Sequence, residues 1–137
     1  MFKKLCCVAF SFIAILYMTM CYRMPVFSEY AKDFELYLNC PSSTCQIIKA
    51  TKLESVFIGR IYGESFKADK NFDAGKLVDR FNAKLVKVEV VNGIENYYYY
   101  SPKIKYKKQL FGERVNIHVA VTKTQITIGS PIIFGSF

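Results

Sequence analysis

Apolar and charged residues alternate along residues 85–91, so the valines fall on one face of an extended segment and the charges on the other. This period of two predicts a half-buried β-strand. Asn92 and Gly93 follow, and both tolerate the positive φ angles that a tight type I′ turn requires. We therefore predict a β-hairpin whose return strand covers residues 94–100.

The return strand carries four consecutive tyrosines, Tyr97 to Tyr100, which alternate between its two faces. Half of them must face the core of any sheet, so we interpret the run mainly as packing. Contact with a glycan or peptide is the alternative, because each ring ends in a hydroxyl. Ser101 and Pro102 end the strand, since proline donates no N–H.

Two further strands are predicted near the end of the chain. Residues 115–122 alternate apolar with polar, and residues 125–128 follow after a short turn. The last segment, 129–137, is apolar with turn residues. Burying its isoleucines and Phe134 would contribute about 1.5–3 kcal/mol each, so we expect this segment to dock on the core.

Upstream of this region the pattern predicts two helices and a strand pair. Apolar residues at positions 30, 34, 37 and 38 form an amphipathic stripe, which predicts a helix over 29–39. Residues 44–49 and 55–62 are predicted as paired strands, and 66–71 as a polar connection. Asn71 or Asp73 can cap a second helix, in which apolar residues recur at positions 77, 81 and 85.

Helices interspersed with hairpin strands indicate an α+β fold, an antiparallel sheet covered on one face by two helices. No internal repeat or low-complexity linker divides the chain. With 137 residues, 52% of them hydrophobic, the simplest division is an N-terminal segment, 1–28, and a single α+β domain, 29–137.

The N-terminal segment has the pattern of an export signal. Lys3 and Lys4 precede an uncharged apolar run from about residue 5 to residue 21, and Pro25 follows. Ser28 offers a small residue at which a signal peptidase could cut. The run is also near the lower length limit for an uncleaved membrane anchor, so both a signal peptide and an anchor remain open. Either prediction places the domain outside the cytoplasm.

The formal net charge of +8 favours an anionic partner. The basic residues cluster around an aromatic one after the hairpin, and we take this cluster as the candidate binding surface: Lys103, Lys105, Tyr106, Lys107, Lys108 and Arg114. Lysines beside aromatic rings are typical of single-stranded nucleic-acid binding. We interpret the cluster mainly as a solvated loop, and contact with an anionic wall polymer or a membrane surface is the first alternative. The export signal makes nucleic acid the least favoured partner.

Residues that could carry out catalysis or hold a metal are few. Cys40 and Cys45 lie close enough in sequence to form a small-loop disulfide, with two reduced thiols as the alternative. Two cysteines and one histidine are too few for a zinc site. His118 is predicted as a solvent-facing strand residue, with ligand contact or catalysis as alternatives. We therefore predict a non-enzymatic protein without a cofactor.

The segments Asn116-Ile117-His118-Val119-Ala120-Val121 and Gln125-Ile126-Thr127-Ile128-Gly129-Ser130-Pro131-Ile132 resemble the closing strands of the YwmB-like family. This uncharacterised family is often called TATA-box-binding-protein-like. Phe81-Asn82-Ala83-Lys84 is similar to its helix end, so the resemblance covers about the last 55 residues. Two features depart from the family pattern: His118 stands where the family usually has Gln, and the chain is shorter than the longer members.

The resemblance implies an exported protein of Gram-positive bacteria with a TBP-like or helix-grip α+β fold, and it implies no catalytic residue. Together with the export signal, it predicts a non-enzymatic extracytoplasmic domain that binds an envelope protein or an anionic wall polymer. The alternatives are a nucleic-acid-binding protein and, less favoured, an envelope hydrolase.

Overall fold

A computed structural model describes residues 2–38 and 45–135 of the chain. It contains three helices and nine strands in these residues. In chain order they are α1 (Phe2–Arg23), β1 (Asp33–Leu38), β2 (Gln46–Thr51), α2 (Lys52–Phe57), β3 (Ile61–Asp69), α3 (Ala74–Arg80), β4 (Lys84–Val91), β5 (Ile94–Tyr100), β6 (Lys108–Leu110), β7 (Glu113–Val115), β8 (Ile117–Val121) and β9 (Gln125–Ser130).

Seven strands form one antiparallel sheet in the order β2-β1-β3-β9-β8-β5-β4. β6 and β7 form a separate two-stranded hairpin. The predicted α+β class and the antiparallel sheet are confirmed. The long strand β3 and the closing strand β9 lie at the centre of the sheet, and β2 and β4 form its two edges.

One face of the sheet carries the hydrophobic core. Phe34 and Leu36 of β1 and Phe66 of β3 are buried there, beside Val119 and Ile128, which are paired across β8 and β9. The core face is covered by α3 through Leu77, by the turn at residues 25–30 and by the loop at Ile104. Tyr97 and Tyr99 pack against the same cluster, so the packing interpretation of these two tyrosines is confirmed.

The opposite face is covered by the end of the chain and by the β6–β7 hairpin. Ile133 is buried, and the ring of Phe134 lies edge-on to Tyr37 with centroids 5.0 Å apart. Phe111, at the tip of the hairpin, packs edge-on against Tyr98. The predicted docking of the C-terminal segment is thus confirmed for residues 131–135.

The β4–β5 hairpin forms as predicted, because its turn is specified locally. Asn92 and Gly93 have φ angles of 53° and 77°, the left-handed values that a type I′ turn requires. α3 begins at the predicted cap, where the Asp73 carboxylate accepts from the Lys76 backbone N–H. It ends at Arg80, so Leu85, which the pattern placed in this helix, lies in β4. The valine face of β4, however, is largely exposed, and a bulge between Leu85 and Lys87 interrupts its alternation.

The helix predicted over 29–39 is wrong. Residues 33–38 form the strand β1, which pairs with β2 on one side and β3 on the other. The segment contains a helical stripe and also a period of two, in which Phe34 and Leu36 point to the core. Pairing on both edges satisfies its backbone groups and buries these two side chains, and this tertiary gain outweighs helix propensity.

The strand predicted over 55–62 is wrong except at residues 61 and 62, where β3 begins, and the polar connection predicted at 66–71 is mostly strand. Residues 52–57 form α2, which begins with a capping box: Thr51 Oγ1 accepts from the Glu54 backbone N–H, and Glu54 accepts from the Thr51 N–H. The Thr-x-x-Glu signal is present in the sequence and was missed. β3 then runs to Asp69, because β1 and β9 pair with it along most of its length.

Residues just after α1 pack in the domain core. Phe27 is fully buried and lies edge-on to both Phe66 and Phe81. The backbone N–H groups of Val26 and Phe27 donate to the two carboxylate oxygens of Glu64, at 2.8 and 2.9 Å. Val26 and Phe27, which the sequence places in the N-terminal segment 1–28, therefore contribute to the core of the following domain.

α1 exposes large apolar side chains over most of its length. Between residues 8 and 18, eight of them are more than half exposed: Val8, Phe10, Phe12, Ile13, Ile15, Leu16, Tyr17 and Met18. Consecutive residues among these eight point in different directions around a helix with 3.6 residues per turn, so the apolar surface is not confined to one face.

In the part of the chain that the structure describes, no helix has the length and hydrophobicity needed to cross a membrane.

Gly63 of β3 lies close to the backbone of Ser130 and to Pro131, and replacing it with Ala is expected to destabilise the protein. A Cβ there would lie 2.6 Å from the Ser130 carbonyl oxygen and 2.9 Å from Pro131 Cδ. We expect Gly63→Ala to lower the free energy of unfolding by about 1–3 kcal/mol, because a backbone atom must move. Gly59→Ala is the control, since a Cβ at that position meets no atom within 4 Å. Urea denaturation of both variants measures the difference, and equal losses would contradict the prediction.

Candidate functional site

The candidate site is an open cleft of about 730 Å³ between the start of β3 and the loop that follows β5. We call it the basic cleft. It is lined by Arg60, Ile61, Tyr62, Lys105, Tyr106, Lys107, Lys108, Gln109, Pro131 and Phe134. Four of these residues are cationic and none is acidic, so the described lining of the cleft has a strong positive charge.

A buried asparagine holds the loop that carries the lysines. Asn116, fully buried between β7 and β8, accepts from the Ser101 backbone N–H at 2.7 Å and donates to the Ser101 and Ile104 carbonyl oxygens. The Ile104 side chain is buried in the core just before the first lysine of the cleft. Because both ends of this short turn are fixed, Lys105 to Lys108 leave the core at a defined place.

Aromatic rings lie beside two of the cations. The Arg60 guanidinium lies over the Tyr62 ring, 5.0 Å from its centroid, and the Lys108 ammonium lies 4.8 Å from the centroid of Phe134. Cation–π contacts of this kind are worth about 0.5–1 kcal/mol at exposed sites and restrict where the charge can go. The cleft therefore presents flat apolar surfaces next to positive charges.

The inner end of the cleft approaches the buried carboxyl of Glu64. Burial is the main reason that the pKa of the Tyr106 hydroxyl is raised; the negative charge of Glu64 raises it further and Arg60 lowers it. Glu64 itself is 1% exposed, and burial raises its pKa to about 7, opposed by the two N–H groups that it accepts from. Tyr106 is a neutral phenol at physiological pH and can donate a hydrogen bond.

The structure brings together four of the six predicted binding residues. Lys105, Tyr106, Lys107 and Lys108 all line the basic cleft. Lys103 does not, since its ammonium donates to the carbonyl oxygen of Arg80 at 2.8 Å. Arg114 lines a different pocket, beside β4 and the β6–β7 hairpin.

Six lining residues of the cleft were not predicted, and three of them, Arg60, Tyr62 and Phe134, carry a charge or an aromatic ring. The first two lie more than 40 positions from the lysine loop in sequence, in a segment that was interpreted as a strand of an ordinary hairpin. No local pattern identifies them, because the pairing of β3 with β9 is what places them near the loop.

The prediction that His118 faces solvent is wrong. The side chain is 3% exposed and stacks on Tyr98, with ring centroids 4.5 Å apart. Its Nδ1 accepts from the Ile133 backbone N–H, so Nε2 carries the proton and donates to the Asn96 side-chain oxygen at 2.9 Å. Burial lowers its pKa to about 4. Both ring nitrogens form hydrogen bonds inside the fold, so His118 helps to hold the end of the chain against the sheet.

The predicted disulfide lies partly outside the described residues, because Cys40 falls in 39–44. Cys45 is described and is buried. Among residues 2–38 and 45–135, no three His, Cys, Asp or Glu side chains come close enough together to hold a metal ion.

A second open pocket, of about 440 Å³, lies on β1, β2 and β3. Its charged lining mixes acids with lysines, namely Asp33, Glu35, Glu54, Lys49 and Lys67. Because both signs are present, it has no clear preference for a charged ligand. The basic cleft is the stronger candidate on electrostatic grounds.

Comparison of this chain with protein-family models, with curated proteins and with solved structures found no match.

Proposed function

We propose that this protein is a non-enzymatic domain of the bacterial cell envelope that binds an anionic wall polymer in its basic cleft. The observation that carries the proposal is the convergence of Arg60, Lys105, Lys107 and Lys108 on one open cleft with no acidic lining residue. Cations on two separate chain segments can contact successive negative groups of one polymer chain.

The shape of the cleft supports a chain-like ligand. Its volume of about 730 Å³ accommodates a few monomer units, and its openness to solvent lets a longer chain enter and leave. The rings of Tyr62 and Phe134 next to the cations give apolar surfaces for the parts of the polymer between the charges. The hydroxyl of Tyr106 adds a hydrogen-bond donor.

The proposal that the domain is exported rests on α1. Its apolar side chains are exposed, and an exposed apolar surface of this size is typical of contact with a membrane or another protein. Lys3 and Lys4 lie at the start of α1, before its uncharged apolar run, which is the charge pattern of a signal segment. Export would also place the domain where anionic wall polymers are abundant and nucleic acid is scarce.

We keep the YwmB-like relationship and the TBP-like or helix-grip description as part of this proposal. They rest on the residue patterns at 81–84, 116–121 and 125–132. The antiparallel sheet with α3 on its core face is compatible with them.

Charge reversal in the cleft tests the proposal. We expect Arg60→Glu combined with Lys107→Glu to weaken binding of the full chain to a poly(glycerol phosphate) polymer by about tenfold or more, because four units of charge change at the site. The control is Lys103→Glu combined with Arg114→Glu, which changes the net charge equally outside the cleft. Titration calorimetry in a mild detergent measures both affinities at two salt concentrations.

If the control pair weakens binding as much as the cleft pair, binding is due to net charge and the cleft is not the site. The same titration with a single-stranded oligonucleotide tests the alternative. Rings beside cations also suit base stacking, so tighter binding of the oligonucleotide than of the polymer, lost in the cleft variant, would favour a nucleic-acid-binding protein.

A further inference from the structure

The edge strand β4 carries an apolar surface that the fold leaves uncovered. Leu85, Val88, Val90 and Val91 are 55, 44, 66 and 49% exposed. β5 pairs with one side of β4, and no described strand pairs with the other. An open edge of this kind exposes unpaired N–H and C=O groups and is a ready template for another strand.

We propose that the partner is a second copy of this chain, joined through antiparallel pairing of two β4 strands centred on Val88. In this register, Lys87 of each copy lies opposite Glu89 of the other copy. The two copies of Val88 face each other across the two-fold axis. The pairing would extend two seven-stranded sheets into one.

The charges on β4 select this register. Within one chain, Lys87 and Glu89 already lie on the same face, with their charged atoms 3.4 Å apart. Tyr98 of β5 donates to the other oxygen of Glu89 at 3.1 Å, which holds the carboxylate on this face of the sheet. Adding the second copy surrounds each charge with charges of opposite sign.

Neighbouring registers that keep the same faces together are unfavourable. A shift of one residue per strand in one direction places Lys87 opposite Lys87, and a shift in the other direction places Glu89 opposite Glu89. Like charges directly opposite each other destabilise strand pairs. Charges on an edge therefore discourage most partners, while their order on β4 fits a second copy of the same strand.

A charge-exchange experiment tests the pairing in the full chain, kept in a mild detergent. We expect K87E alone, or E89K alone, to weaken dimerisation by about tenfold or more, because each places like charges opposite each other at two positions. An equimolar mixture of the two variants should dimerise again, since one chain then carries two acids in the ladder and the other two lysines. Sedimentation velocity over a concentration series measures each case.

Association through α1 would not follow this pattern, because neither substitution lies in that helix. A wild-type chain that stays monomeric, single variants that associate as tightly as wild type, or a mixture that fails to recover would each overturn the proposal.

Cross-linking gives an independent measurement. Val88→Cys places one thiol opposite its copy, so mild oxidation should yield a covalent dimer. Val90→Cys is the matched control: it is more exposed, but its copy lies about four residues away along the ladder, or ~13 Å, beyond the reach of a disulfide. Equal cross-linking of the two variants, above the wild-type background from the native cysteines, would contradict the register.

Discussion

A chain that begins at Glu29 is expected to be far less stable than one that begins at Met24. The shorter chain lacks Phe27, which is fully buried between Phe66 and Phe81. Loss of a buried phenylalanine side chain costs about 3–5 kcal/mol. The shorter chain also lacks the Val26 and Phe27 N–H groups that donate to Glu64, and an unsatisfied buried carboxyl costs about 1–3 kcal/mol or more.

The combined loss is comparable with the whole stability of a typical domain, about 5–15 kcal/mol. Urea denaturation followed by tyrosine fluorescence measures it, since the chain has ten tyrosines and no tryptophan. Phe27→Ala in the longer chain is the control that separates the side chain from the hydrogen bonds. Similar urea midpoints for the two truncated chains would show that residues 24–28 contribute nothing to the core.

This result also bears on how the protein would be processed. A signal peptidase that cut after Ser28 would remove Phe27 from the domain. If the Glu29 chain is as unstable as we expect, any cleavage of the mature protein should fall before Pro25. Mass spectrometry of the N-terminus of the native protein would identify the site.

The second large effect is a dependence of stability on pH, in which Glu64 and His118 act in opposite directions. Burial raises the pKa of Glu64 to about 7 in the fold, from an ordinary value of 4.5. Between these two values the folded protein holds a proton that the unfolded chain has released. The contribution of Glu64 is therefore fully present below pH 4.5 and is lost as the pH rises through 7.

His118 has the opposite sign. Burial lowers its pKa to about 4 in the fold, from an ordinary value of 6.5. Between pH 4 and 6.5 the unfolded chain binds a proton that the folded protein does not. The contribution of His118 is thus present above pH 6.5 and is lost as the pH falls through 4.

Replacing one group at a time should reveal both pH dependences. Each changes the free energy of unfolding by about 3 kcal/mol between the ordinary pKa of the group and its pKa in the fold. Relative to wild type, Glu64→Gln should become progressively more stable as the pH rises from 4.5 to 7. His118→Gln should gain relative stability as the pH falls from 6.5 to 4. Urea denaturation at half-unit steps of pH gives the two difference curves, and a flat curve for either variant would mean that its group titrates normally in the fold.

Local chemistry explains the parts of the fold that could be predicted. The β4–β5 hairpin depends on Asn92 and Gly93, two adjacent residues that accept left-handed backbone angles. α3 depends on the Asp73 cap three residues before the Lys76 N–H that it binds. In both cases the deciding contacts lie within a few residues of each other, so the sequence pattern contains them.

The candidate site was predicted in part, for the same reason. Lys105 to Lys108 are adjacent in sequence and form one wall of the cleft. Arg60 and Tyr62 come from a distant segment at the start of β3, and Lys103 donates to the carbonyl oxygen of Arg80 outside the cleft. Which cations share a cleft depends on strand pairing, which a charge pattern does not contain.

From the amino-acid sequence alone come the α+β class, the hairpin, the capped helix α3, the basic loop and the apolar N-terminal run, because neighbouring residues specify each of them. The long-range packing assigned the rest. β1 is a strand in spite of its helical pattern of apolar residues, because β2 and β3 pair with its two sides. The long-range packing also buried Phe27, Glu64 and His118, whose surroundings come from segments far apart in the chain and form only when the sheet is assembled.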